Sequence, residues 1–176
     1  TDRALGSVSS GTVSSRYGVT LVNTTGAVIT YFSVRYTGEQ WRHGGATTPN
    51  KLAFSYAVGA NDINVLTGFT AAPALDFVAP IITTTTSALD GNAAANRVVD
   101  ISGTISGLNW APGQTLVLRW TDVDDAGADD GLAIDDFLFA AGPAPVTALV
   151  RHAPTLSGSI DGTVQMLLGE PVALSG

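Results

Sequence analysis

The sequence predicts an all-β protein, an antiparallel jelly-roll-like β-sandwich followed by a β-rich C-terminal extension. Three observations lead there. Apolar residues recur with period two, no segment of any length holds a 3.6-residue period, and Gly, Asn, Asp and Pro punctuate the chain at strand-length intervals. With 45% hydrophobic and 13% charged residues in a 176-residue chain, there is enough apolar surface to bury a core.

The longest alternation runs from Ala27 to Thr37, where Val28, Thr30, Phe32, Val34 and Tyr36 interleave with Ile29, Tyr31, Ser33 and Arg35. Similar runs predict strands over Tyr17–Val22, Leu52–Val58, Val98–Ile105, Leu116–Thr121 and Leu132–Phe139. Between the first two strands, Asn23-Thr24-Thr25-Gly26 predicts a short hairpin turn with Gly26 at positive φ; its N-x-T sequon reads as turn chemistry. The polar stretch from Thr83 to Asn96 predicts a loop that crosses the sandwich. Two prolines and small residues at Ala140–Pro145 place a boundary there, giving a sandwich domain over residues 1–142 and a linker with a strand-forming tail over 143–176. The tail's β-like runs are too few to enclose a core and need a partner.

Composition excludes several function classes. A formal charge of -7, with Lys51 the single lysine, gives no basic face for nucleic acid. No cysteine is present, which removes disulfides, thiolate metal sites and cysteine nucleophiles. No apolar run reaches the ~20 residues of a transmembrane helix. An acidic, lysine-poor, Thr/Ser/Gly-rich chain is typical of bacterial exported proteins, so a secreted, extracellular or cell-surface location is expected. The start at Thr1, without methionine or signal peptide, is expected to reflect a processed or excised portion.

The chemistry-bearing residues gather in two places. Between Trp120 and Phe137 stand seven of the fifteen acidic residues. Such crowding is relieved most directly by a hard divalent cation, so calcium is the expected ion, with Asp122, Asp124, Asp129, Asp130, Asp135 and Asp136 as candidate ligands. Asp122-x-Asp124-x-x-Gly127 matches the opening of several calcium loops, although Ala126 and Ala133 depart from an EF-hand. The alternative is a polar staple or solvated turn in which Asp135 or Asp136 accepts backbone hydrogen bonds.

The second cluster, Glu39-Gln40-Trp41-Arg42-His43, follows the longest strand. Glu39, Trp41 and Arg42 are candidate glycan-binding residues, since an indole stacks on a sugar ring while a carboxylate and a guanidinium bond its hydroxyls. The alternative is structural: Trp41 caps the core while Arg42 pairs with Glu39 or with an Asp of the acidic hairpin. A Ser-His-Asp centre would need His43 or His152, and neither accompanies a nucleophile-elbow motif. Zinc spacings and phosphate loops are absent, so the chain is expected not to be an enzyme.

Five segments in order, Ala4-Leu5-Gly6-Ser7, Tyr36-Thr37-Gly38-Glu39-Gln40-Trp41-Arg42, Ala74-Leu75-Asp76-Phe77, Leu89-Asp90-Gly91-Asn92 and Gly131-Leu132-Ala133-Ile134-Asp135-Asp136-Phe137, cover residues 4 to 139. Together they resemble a recurring module of bacterial exported proteins, found in secreted nucleases and in PEP-CTERM or autotransporter-like surface proteins. That resemblance implies a jelly-roll-like accessory domain and carries over no catalytic residue. The Ile134-Asp135-Asp136 element also resembles the closing strand of MAM-type and other lectin-like sandwiches.

The expected function is a non-catalytic structural or adhesive module. Self-association would proceed by donation of a tail strand, with Val164, Met166, Leu168, Val172 and Leu174 as the assembling residues. Two further readings are a calcium-supported carbohydrate-binding module and an accessory domain of a secreted hydrolase.

Overall fold

The computed structural model describes residues 3–143 apart from Thr12 and Ala126. The assembling residues expected in the tail, Val164 to Leu174, therefore lie outside the described residues. Ten strands follow in order: β1 Leu5–Ser7, β2 Ser15–Val22, β3 Ile29–His43, β4 Lys51–Val58, β5 Thr70–Ala71, β6 Phe77–Val78, β7 Ser87–Ala88, β8 Arg97–Trp110, β9 Thr115–Asp122 and β10 Gly131–Gly142. They form two antiparallel sheets packed into a sandwich. One has the order β1-β10-β3-β7, with β8 also paired to β3; the other has the order β2-β9-β4-β5, with β6 also paired to β4. Through the first half of the chain, β1 to β4 alternate between the sheets, and β8, β9 and β10 return to pair beside β3, between β2 and β4, and between β1 and β3. This is the double-sheet jelly-roll arrangement that the strand spacing predicts.

All six predicted strands are present: β3 starts two residues later than predicted, at Ile29, and runs on through Glu39–His43, and the other five are longer by one to six residues. The turn between the first two is different. β2 and β3 lie in different sheets, so Asn23–Ala27 is a crossover and not a hairpin, and Gly26 is not among the positive-φ glycines. Asn23 is the brace of this crossover. Its buried amide donates to the carbonyls of Ala27 (2.9 Å) and Trp110 (2.8 Å), and its Oδ1 accepts from Thr25 N and Oγ1. The sequon is turn chemistry, as read. The loop after β6 does cross the sandwich, entering the other sheet at β7.

Trp120 sits at the centre of the core. Tyr36, Phe54 and Phe137 meet it edge to face at ring-centroid distances of 5.3, 5.1 and 5.5 Å, a geometry worth about 0.5–1.5 kcal/mol per pair beyond area burial. Its strand, β9, is covered on both faces. On the side away from the core, Arg119 lies over the Phe69 ring and donates to the carbonyls of Ile63 (3.1 Å) and Val65 (2.8 Å), pinning the loop after β4 onto the sheet.

Bulges decide which side chains β3 and its neighbours present. In β10, Asp135 pairs with Thr37 and Leu138 with Arg35, so Asp136 and Phe137 together oppose Tyr36. In β8, Val99 and Asp100 together oppose Thr37. Asp136 and Asp100 take the left-handed conformation, φ 51° and 61°, which Asp tolerates better than bulkier residues. The extra residue in β10 switches the core-facing parity from Leu132 and Ile134 to Phe137 and Phe139.

Candidate functional site

A third bulge builds the site. Across β10 and β3, Leu132 pairs with Gln40 and Gly131 with Arg42, leaving Trp41 as an extra residue. Strict alternation would put Gln40 with Arg42 on one face and Trp41 with His43 on the other. The extra residue resets that order. Gln40 and His43 both reach the Asp130 carboxylate, and Trp41 and Arg42 both line one groove.

Beneath the bulge, the sequence's polar-staple alternative is realised at Asp130. Its side chain, 2% exposed, accepts from Gln40 Nε2 (2.9 Å), His43 Nδ1 (2.9 Å) and Gly44 N (2.7 Å), and its own N–H donates to Asn50 Oδ1 (2.8 Å). A carboxylate only accepts, so Nδ1 carries the proton on its side of the ring. The other nitrogen, Nε2, faces the backbone of Thr83, 2.9 Å from its N and 2.6 Å from its O. Gln40 completes the layer through Ile81, accepting from its N–H at 2.8 Å and donating to its carbonyl at 3.2 Å. One buried carboxylate thus joins β3, the start of β10 and the loops carrying Asn50, Ile81 and Thr83.

The remaining candidate metal ligands divide into two groups. Asp122 Oδ2 accepts from Ser7 Oγ at 2.6 Å, and the Asp122 carbonyl accepts from Ser9 Oγ at 2.7 Å. Burial pushes its carboxyl above the usual range, with a smaller push from the Asp129 charge, against the lowering by the two serines. The Asp124 carboxyl is raised by desolvation and by its neighbour Asp129. Asp129 is buried, and its Oδ1 accepts from Asp125 N at 2.9 Å. Asp135 and Asp136 belong instead to the β10 bulge, where Asp135 Oδ1 accepts from Asp136 N at 2.8 Å and Asp136 Oδ2 accepts from Thr37 Oγ1 at 3.2 Å. Among the described residues, no three of the Asp, Glu and His side chains converge as a metal-binding group.

Above the bulge lies the groove, a cavity of about 490 Å³ whose walls include Arg3, Val8, Trp41, Arg42 and Leu132. Two contacts fix Trp41. Its Nε1–H donates to the buried Glu39 Oε2 at 2.9 Å, and its ring packs on Gly91. A Cβ at Gly91 would come within 2.4 Å of the indole, so only glycine fits there. With its N–H engaged, the half-buried indole offers apolar ring surface to the groove. Arg42 Nη1 donates to the Asp129 carbonyl, so the guanidinium does reach the acidic segment, which crosses from β9 in one sheet to β10 in the other and is not a hairpin, but through a neutral backbone oxygen.

Of the three candidate glycan-binding residues, Trp41 and Arg42 face the groove, and Glu39 stands behind as the acceptor that orients the indole. Sequence reasoning missed Arg3, Val8 and Gly91, which come from segments remote in the chain. The Leu89-Asp90-Gly91-Asn92 segment was marked only as a likeness to exported modules. No protein-family model, curated protein or solved structure matches this chain. Function is therefore read from the groove's own chemistry.

Proposed function

We propose that this chain is a non-catalytic, extracellular adhesive module that holds a saccharide in the groove at Trp41 and Arg42. One observation carries the reading: the β3 bulge sets an oriented indole and a tethered guanidinium side by side on the wall of a cavity of about 490 Å³. An indole surface packs against the C–H face of a pyranose, and guanidinium N–H groups bond its hydroxyls. Both side chains are held before a ligand arrives, which lowers the ordering cost of binding.

The non-catalytic part of the proposal draws on His43. Its pairing with Asp130 is the inner half of a triad, but the ring nitrogen that would serve a serine nucleophile faces the Thr83 backbone. The test is a glycan array, followed by calorimetry on the wild type and on Trp41→Ala. Loss of an aromatic anchor of this kind costs about 2 kcal/mol or more, roughly 30-fold in Kd. Unchanged affinity in a folded Trp41→Ala protein would overturn the assignment.

Self-assembly by strand addition is a second reading, favoured by the free edge of β10. Among the described residues, β1 covers only Leu132–Ile134 on that side, and beyond it Leu138–Gly142 carries no charge and no proline, the usual guards of an edge. Leu138 is 59% exposed. Light scattering on the full chain and on a chain ending at Gly142 tests it: assembly lost with the tail supports strand donation, and a monomer in both excludes it.

A further inference from the structure

We infer that the groove selects a saccharide bearing a carboxylate, such as a uronic acid; this rests on the saccharide reading above. The chain has fifteen acidic residues against eight basic ones. Its groove reverses that balance. Among the described residues that line it, the charged ones are Arg3 and Arg42. The other described residues of the wall are small or apolar, Ala4, Gly6, Val8 and Leu132 among them.

Arg42 keeps its charge available. Its guanidinium donates to the carbonyl of Asp129, whereas Arg35 and Lys51 are ion-paired, with Asp100 and Asp76. The carbonyl contact uses Nη1 and holds the planar group in place. A guanidinium so held matches a carboxylate's two oxygens better than it matches scattered hydroxyls. The molecule's overall charge of -7 opposes an anion only at long range, because exposed charges beyond about 8 Å are screened at physiological salt. Local groups at contact distance dominate. A uronide presents both parts of the match in one ring, a C–H face for Trp41 and a carboxylate for Arg42.

The experiment compares an oligogalacturonate with its fully methyl-esterified form, by calorimetry on the full chain, alongside a panel of neutral oligosaccharides and inorganic polyphosphate. Expected is at least a tenfold preference for the acid over the ester, shrinking as salt rises and abolished in Arg42→Gln. Arg3→Gln, at an exposed position outside the sheets, gives a second variant that should narrow the preference without disturbing the fold. Equal affinity for acid and ester overturns the inference and leaves the saccharide reading standing. Binding of neutral sugars alone does the same. Polyphosphate binding as tight as the oligogalacturonate overturns selection for a sugar carboxylate, and binding of no saccharide overturns both readings.

Discussion

The two sides of the β3 bulge use neighbouring residues to opposite ends. Underneath, Gln40 and His43 meet Asp130, and their polar groups are hydrogen-bonded to it, to Ile81 and to Thr83. Above, Trp41 is held by Glu39 and Gly91 and Arg42 by the Asp129 carbonyl, and each presents part of its surface to the groove. Regular alternation would have divided the four consecutive residues differently, Gln40 with Arg42 on one face and Trp41 with His43 on the other. One extra residue sorts them into a closed structural layer and an open binding wall. The difference teaches that the site depends on backbone register as much as on side-chain identity.

The largest way to break the comparison is to attack the closed side. Asp130→Ala would strand the donors of Gln40, His43 and Gly44 in a buried layer, and removing one partner of such a network costs on the order of 3–5 kcal/mol. Chemical denaturation should show a loss of that size, with groove binding lost as the register loosens. Trp41→Ala attacks the open side and should do the reverse, reducing saccharide affinity roughly 30-fold while leaving the denaturation midpoint almost unchanged. A Trp41→Ala protein as destabilised as Asp130→Ala would erase the distinction between the two sides.

Smaller effects sharpen it at the acidic loop between β9 and β10. The Asp122 carboxyl is raised above its ordinary 3.8 by burial. A raised folded-state pKa means the native state binds the proton more tightly than the unfolded chain. Its contribution to stability is then greatest at low pH and is lost as pH rises through the raised value. Asp122→Asn, which keeps an acceptor for Ser7, should gain in thermal midpoint relative to wild type as pH moves from 3.8 to neutrality. A difference that does not vary with pH would show that the carboxyl is not perturbed in solution. Calcium gives the smallest expected change. With Asp130 committed to the staple and Asp135 and Asp136 at a separate bulge, millimolar calcium against chelator should move the wild-type midpoint by about a degree or less. By the mass-action relation between binding and stability, a shift of several degrees, abolished in Asp124→Asn, would restore a cation site to Asp122, Asp124 and Asp129.

Much of the fold was legible because it depends on local periodicity. Phe32, Val34 and Tyr36 alternate with Ser33 and Arg35 in the sequence as they do in β3, and the six long strands follow from such runs. The partner of a strand is not a local property, which is why Asn23–Ala27 read as a hairpin when it crosses between sheets. The β10 bulge did leave a trace: core positions switch from Leu132 and Ile134 to Phe137 and Phe139, a change of parity within one strand. The β3 bulge left none, because Glu39 to His43 are polar or amphipathic at both parities. The hydrogen-bond network of Asp130 was not legible because its partners are remote; Gln40, His43 and Asn50 lie 80 to 90 residues away in sequence. The Trp41 and Arg42 pair was named from residue chemistry alone, and the third wall of the groove, Arg3 with Val8, comes from the chain's first strand and its flanks.

The most direct test of the central claim, that the outer side of the bulge is the binding wall, follows the indole N–H resonances of the three tryptophans during titration with an oligogalacturonate and its methyl ester. The account predicts that the Trp41 signal moves and saturates with at least one of them, while those of the buried Trp110 and Trp120 stay in place. Saturable binding that leaves Trp41 unmoved, or that shifts Trp110 and Trp120 instead, would contradict it.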